Sequence, residues 1–223
     1  MIPNQISKNY ADSVYNLIVS DILNRVLNEG DKLNEKELIS KLGFSRTPIR
    51  EALIMLERDG FVKTVGREGT YVRKLTQNDI RDIYIVREAL EGMAARLGAK
   101  TISDDNILIL ASIVEQMEII LQTENFEGDE FIKLDMEFHK TIVDSCHIKL
   151  LSSICYNLGL LSASIRIKGA KYTEHINQYQ KQHQEIFKAF EQRNEVLAES
   201  LLCEHIRKGK IDVILAYNIY NNS

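Results

Sequence analysis

Between Phe61 and Arg73 the hydrophobic period of this chain switches from helical to alternating, and it does so nowhere else. Phe61-Val62-Lys63-Thr64-Val65 and Thr70-Tyr71-Val72-Arg73 are short β-prone runs flanking Gly66-Arg67-Glu68-Gly69, which is a hairpin signal. Three helical patterns precede it. The first runs from Tyr10 to Asn28, with Val14, Leu17, Ile18 and Ile22 on one side and Gly30 as its stop. The second starts at Asn34, an N-cap with Glu37 three residues later in a capping-box arrangement, and ends near Leu42-Gly43. The third opens at Ser45 or Thr47, where Pro48 fits a first turn because its missing N–H needs no partner there. It runs to about Asp59 and closes at Gly60. Three helices and then a hairpin is the chain order of a winged helix-turn-helix.

After Thr76 every segment reads as helix, at about 77–100, 103–123, 127–145, 148–168, 174–192 and 195–219. The expectation is a mostly α protein: a winged helix-turn-helix over 1–75 and an all-α bundle of six or seven helices over 76–223. With only two prolines and eleven glycines, the connections should be short. No stretch approaches the roughly 18 apolar residues of a membrane span, and MIPNQISKNYADS lacks a signal peptide's apolar core. Cys146, Cys155 and Cys203 show no CxxC spacing and read as reduced thiols, so a cytoplasmic location is expected. Net charge is −4, which alone argues nothing for nucleic acid. Residues 1–75, however, carry 12 Lys and Arg against 10 Asp and Glu, and the rest carry 16 against 22. A DNA-facing head on an acidic body would have that asymmetry.

In a helix-turn-helix the N-terminal end of the second helix enters the major groove. Here that end presents Ser45, Arg46, Thr47 and Arg50. Arg46 and Arg50 lie four apart and share a face, where each can grip a guanine or a phosphate, and hydroxyls at a helix start suit phosphate. Ile49, Leu53 and Leu56 form the apolar face that would seat the helix on its domain. Lys36 and the hairpin-tip Arg67 are placed to add phosphate or minor-groove contacts. Helical spacing alone equally fits a small domain with solvated arginines.

In the body, charged and imidazole side chains interrupt apolar stripes. Asp135 lies on the stripe of Phe131, Leu134, Phe138 and Ile142, with His139 one turn on. His183 completes the stripe of Ile176, Tyr179, Ile186 and Phe190, and His205 lies among Leu201, Leu202, Ile206 and Gly209. Arg87 and Glu91 interrupt Ile80, Ile83, Leu90 and Ala94. A buried charge needs a partner, water or a ligand. Asp135 and His139, at i and i+4, can point at one ion. The turn near Arg193-Asn194 is ten or eleven residues from both His183 and His205. At about 1.5 Å per residue, both sit roughly 16 Å up the same helical hairpin. One carboxylate and three imidazoles converging would suit Zn²⁺, with Ni²⁺ or a similar ion as alternatives. A histidine on an apolar face can equally be a satisfied core residue. His147 and His175, near helix ends, read as surface residues.

Two resemblances sharpen these readings. Ser45-Arg46-Thr47-Pro48-Ile49-Arg50-Glu51-Ala52-Leu53, then Asp59-Gly60-Phe61-Val62 and Gly66-Arg67-Glu68-Gly69-Thr70-Tyr71-Val72, is similar to the signature of the GntR superfamily. The resemblance implies operator contacts from Lys36, Arg46, Thr47, Arg50 and the wing tip, with Arg67 and Gly69 favoured over the acidic Glu68. Asp135-Met136-Glu137-Phe138-His139, His183, Cys203-Glu204-His205-Ile206 and Val86-Arg87-Glu88-Ala89-Leu90-Glu91 resemble the FCD domain of the FadR-like subfamily. That implies a metal between Asp135, His139, His183 and His205, and a small carboxylate or sugar acid beside it. Arg87, with Glu91 beside it, is then expected at the effector. The combined expectation is a homodimeric transcriptional regulator, a repressor by family habit, binding a pseudo-palindromic operator and touching no membrane. A metal-sensing regulator and a metal-dependent hydrolase are the alternatives, the latter with Glu91 as its general base.

Overall fold

The computed structural model describes residues 3–123, 128–169 and 176–221. The chain divides into two compact units, Met1–Leu75 and Thr76–Ser223. Nine helices and three short strands occur among the described residues.

The first unit holds α1 (Pro3–Leu23), β1 (Lys32–Leu33), α2 (Glu35–Leu42), α3 (Arg46–Arg58), β2 (Val62–Val65) and β3 (Gly69–Val72). α1 stops at Leu23, five residues short of the sequence expectation. Arg25 takes φ 59°, its N–H bonds the carbonyl of Ile22, and the Val26 N–H reaches back to Asp21 at 2.8 Å. This is a Schellman stop with arginine where glycine is usual, so composition did not reveal it. At α2, Asn34 caps by accepting from the Lys36 N–H. The Glu37 carboxylate accepts from the Asn34 side-chain amide instead of completing the expected capping box. β2 and β3 form the expected hairpin, but β1 adds a third antiparallel strand beside β3, with Lys32 opposite Tyr71 and Leu33 opposite Thr70. Two residues are too few to show an alternating period. Val14, Ile18, Ile49, Ala52, Leu56, Phe61, Val62 and Val72 make the core.

The second unit is all helical: α4 (Gln77–Thr101), α5 (Asp104–Leu121), α6 (Gly128–Asp144), α7 (Lys149–Gly169), α8 (Ile176–Glu191) and α9 (Glu195–Asn221). α4 opens with a full capping box between Thr76 and Asp79 and packs against α6, α7, α8 and α9. Two glycines allow the close crossings. A Cβ on Gly98 would stand 3.0 Å from the Ile142 carbonyl of α6, and one on Gly92 would stand 2.3 Å from the Cys203 sulfur of α9. α8 and α9 meet at Arg193, in the left-handed region, with the Asn194 N–H bonded to Ala189. The guanidinium of Arg193 donates to the Ile102 carbonyl and to Asp104, fastening this turn to the α4–α5 connection. The three cysteines are free thiols. His147 is exposed, as expected, and His175 lies outside the described residues. Among the described residues no helix is long and apolar enough to cross a membrane.

Candidate metal centre and DNA-reading head

In the first unit, Pro48, Ile49, Ala52, Leu53 and Leu56 bury one side of α3. Its other side leaves Arg46, Thr47 and Arg50 exposed at the N-terminal end, with Ser45 as an N-cap whose hydroxyl makes no bond to the helix. Arg50 is held from the side. Its Nε donates to both carboxylate oxygens of Glu35, each at 3.0 Å, so the ion pair does not use the terminal amino groups. Lys36 is exposed in the first turn of α2, and Arg67 is exposed in the turn between β2 and β3. Gly69 has φ 127°, and a Cβ there would press on the Lys32 side chain at 2.8 Å. The wing is tied to α3 by Glu57, whose carboxylate accepts from the Thr64 N–H at 2.8 Å and from its hydroxyl at 2.9 Å.

The second unit brings together the four residues expected to share an ion. Asp135, His139, His183 and His205 are all buried, and one ligand atom from each lies within 4.8 Å of every other. The His139 Nδ1 stands 2.6 Å from a Glu91 oxygen, and the His205 Nδ1 stands 2.9 Å from the Gln182 amide oxygen. A neutral imidazole that donates its Nδ1–H to these oxygens turns its Nε2 lone pair inward. Those two Nε2 atoms face each other at 3.3 Å. Two lone pairs so opposed repel unless a cation lies between them. His183 Nε2 is 3.2 Å from Asp135 Oδ1, and His139 and His205 reach the same oxygen at 3.7 and 3.8 Å. Ligands about 2.0–2.1 Å from a tetrahedral ion would stand about 3.3 Å apart, so the donor set fits such an ion. Both ring nitrogens of His183 are buried without a hydrogen-bond partner, as suits a side chain awaiting a bond of another kind.

The electrostatics agree. Burial pushes the His205 imidazole down to about 3 and also lowers His183, which favours the neutral, ligating form. Burial works against charge on Asp135, yet Arg166 and the imidazoles hold its carboxyl well below its usual range. Glu91 likewise overcomes burial through Arg87 and His139 and falls to about 2. Glu91 thus orients His139 from behind, the carboxylate–histidine arrangement that fixes tautomer and ring direction.

The remaining expected residues have internal partners. Arg87, read from sequence as facing a carboxylate effector, donates Nε to Glu91 at 2.6 Å, Nη2 to the same carboxylate at 3.4 Å, and Nη1 to the Ser162 hydroxyl at 2.8 Å. Ser162 in turn donates to the Tyr84 hydroxyl. Sequence reasoning missed Arg166, whose Nη1 donates to Asp135 Oδ2 at 2.5 Å. The signal was available: Cys155, Gly159, Ser162 and Arg166 follow helical spacing on α7, so an arginine continues an inward stripe.

The FCD domain model matches residues 82–208, and the model for bacterial regulatory proteins of the gntR family matches residues 10–72. The chain belongs to the gntR family and carries an FCD domain. Among relatives, it is 29% identical over 200 residues to the HTH-type transcriptional regulator YdhC of Bacillus subtilis, covering 86% of this chain and 89% of that one. It is 26% identical over 195 residues to the HTH-type transcriptional repressor RspR of Escherichia coli, covering 87% and 85%. The solved structure of E. coli McbR/YncC shares the fold, with TM-score 0.80 at 17% identity over 95% of this chain and 98% of that one. The family makes this gntR protein a transcriptional regulator. The named relatives are regulators and not enzymes, which removes the hydrolase alternative.

Proposed function

We propose that this regulator is a cytoplasmic homodimer that binds a pseudo-palindromic operator and represses from it, under control of an ion and an anionic effector in its helical unit. Residues 1–75 would serve as the DNA-binding domain and residues 76–223 as the effector, metal and dimerisation domain. Arg46 and Arg50 would read base edges in the major groove, with Ser45, Thr47 and Lys36 on phosphates. Arg67 and Gly69 would bring the wing tip against the adjacent backbone. Asp135, His139, His183 and His205 would hold a divalent ion, Zn²⁺ before Ni²⁺, and Glu91 would fix His139 toward it. The ion, when bound, supplies a positive centre to which a carboxylate or sugar acid can add. Arg87 and Glu91 would form the polar wall beside it. The deep burial of all four ligands favours a resident ion over one sensed as the signal. By linkage, an effector that changes operator affinity must itself be bound more or less tightly when DNA is present.

The observation that carries this reading is the exposed N-terminal end of α3, with Arg46, Thr47 and Arg50 on one face, in a chain of the gntR family. The test is selection of duplexes from a randomised pool by the full-length protein, followed by anisotropy titration of the selected duplex at fixed salt. Arg46→Ala and Arg50→Ala should each weaken specific binding by about 1–3 kcal/mol. Unchanged affinity in both variants would refute the assignment of this face to DNA.

A further inference from the structure

We infer that Arg166 is the anion-recognising group of the helical unit and that the effector is a small dianion, a short dicarboxylate. One of its carboxylates would meet the ion and the other the Arg166 guanidinium. The inference rests on the metal reading above and departs from the sequence expectation that Arg87 meets the effector. Arg87 has its charge matched by Glu91, and each of its three guanidinium nitrogens already holds a partner, Nε and Nη2 on Glu91 and Nη1 on Ser162. Arg166 differs. It meets Asp135 through Nη1 alone, and its Nε is buried with no hydrogen-bond partner. That Nε–H belongs to another edge of the guanidinium, one able to grip a carboxylate with two parallel bonds.

Position supports the choice. Asp135 offers Oδ1 to the three imidazoles and Oδ2 to Arg166. The guanidinium therefore stands one carboxylate's width from the donor cluster, within reach of a ligand that also touches the ion. Its side chain retains 19% exposure, whereas Arg87 retains 3%, so of the two arginines Arg166 is the less enclosed.

Charge supplies the class. The ionised side chains of the site are Arg87, Arg166, Glu91 and Asp135, two of each sign, and ligating histidines are neutral. A divalent ion therefore leaves the site with a surplus of two positive charges away from water. One carboxylate offsets half of that surplus and a dianion all of it, and uncompensated buried charge is strongly disfavoured.

The experiment is calorimetric titration of zinc-loaded full-length protein with malonate and with acetate, on wild type, Arg166→Gln and Arg166→Lys, with zinc content measured on each sample. Lysine keeps the pairing with Asp135 but has no planar fork, so it covers the case in which the glutamine variant fails to fold. Malonate should bind wild type at least about 10-fold tighter than acetate. Arg166→Lys should weaken malonate about 10-fold or more while acetate moves less than about 3-fold and zinc content holds. Equal affinity for the two anions, or a malonate affinity indifferent to Arg166, would overturn the inference while leaving the metal in place. A protein that takes up no zinc yet binds malonate through Arg166 would uphold this residue's role and overturn the metal.

Discussion

Replacing Glu91 with glutamine tests how the helical unit holds its buried charge. The Glu91 side chain is 2% exposed and balances Arg87, itself 3% exposed, while also receiving His139 Nδ1 at 2.6 Å. Glutamine keeps the shape but has one acceptor oxygen, so its NH₂ must face either the Arg87 donors or the imidazole N–H. In the first case Arg87 keeps only Ser162 as a good acceptor, and in both it becomes an uncompensated buried cation. Breaking such a pair from one side costs about 3–5 kcal/mol. For a chain of this size each kcal/mol lowers the melting midpoint by about 2–4 °C, giving a fall of roughly 6–20 °C. The loosened His139 should also weaken metal binding by about 10–100-fold. Thermal unfolding of chelator-treated protein by circular dichroism reads the first effect, and competition for zinc against a chromophoric chelator reads the second. Arg87→Met combined with Glu91→Gln should recover much of the lost stability, because both charges are then gone. A single variant that melts within about 2 °C of wild type would refute the argument that this pair is held as a buried, mutually dependent unit.

Three further outcomes follow from particular contacts. Gly98→Ala should lower the melting midpoint, since the new methyl would meet Ile142 and Cys146 backbone at about 1–3 kcal/mol of overpacking. Gly159→Ala, with nothing within 4 Å of its Cβ, should be neutral or stabilising by up to about 1 kcal/mol. In chelated protein, His205 sits at about 3 when folded against an ordinary 6.5, so its contribution is complete above pH 6.5 and is lost as pH falls toward 3. Glu91, at about 2 against 4.5, adds a second loss below pH 4.5. A melting series should therefore be flat above pH 7 and fall steadily from 6.5 downward, and a series that rises on acidification would contradict it. In the head, Glu35→Gln should move the melting midpoint little, because the pair with Arg50 is exposed. It should nonetheless relax discrimination at the base proposed for Arg50, measured by anisotropy against single-substituted duplexes. Unchanged discrimination would show that Glu35 does not position Arg50.

Much of this architecture was legible because periodicity and punctuation agree. Gly43, Gly60 and Gly66 mark turns at positive φ, and the change of period at Phe61 marks the wing. The equal height of His183 and His205 followed from counting residues back from Arg193, which lies in the turn between α8 and α9. Where the reading failed, the physical cause is identifiable. Arg25 ends α1 in a conformation that glycine usually marks, so the helical pattern runs on to Asn28 with no visible stop at Leu23. β1 is two residues long and exists through pairing with β3, which no local pattern expresses. The internal partners of Arg87 are not legible in sequence, because Ser162 lies 75 residues away and because helical spacing does not say whether Glu91, one turn on, faces the arginine or a ligand. Arg166 escaped notice because a single arginine near the end of a long helix looks solvated until its stripe is traced back to Cys155.

The most direct test of the account is the metal content of the purified, tag-free protein beside an Asp135→Ala, His183→Ala variant. The convergence of three imidazole nitrogens and one carboxylate oxygen predicts about one divalent transition-metal ion per chain in the wild type and none in the variant. Wild-type protein that holds no ion as purified, and takes up none when zinc is supplied, would contradict it.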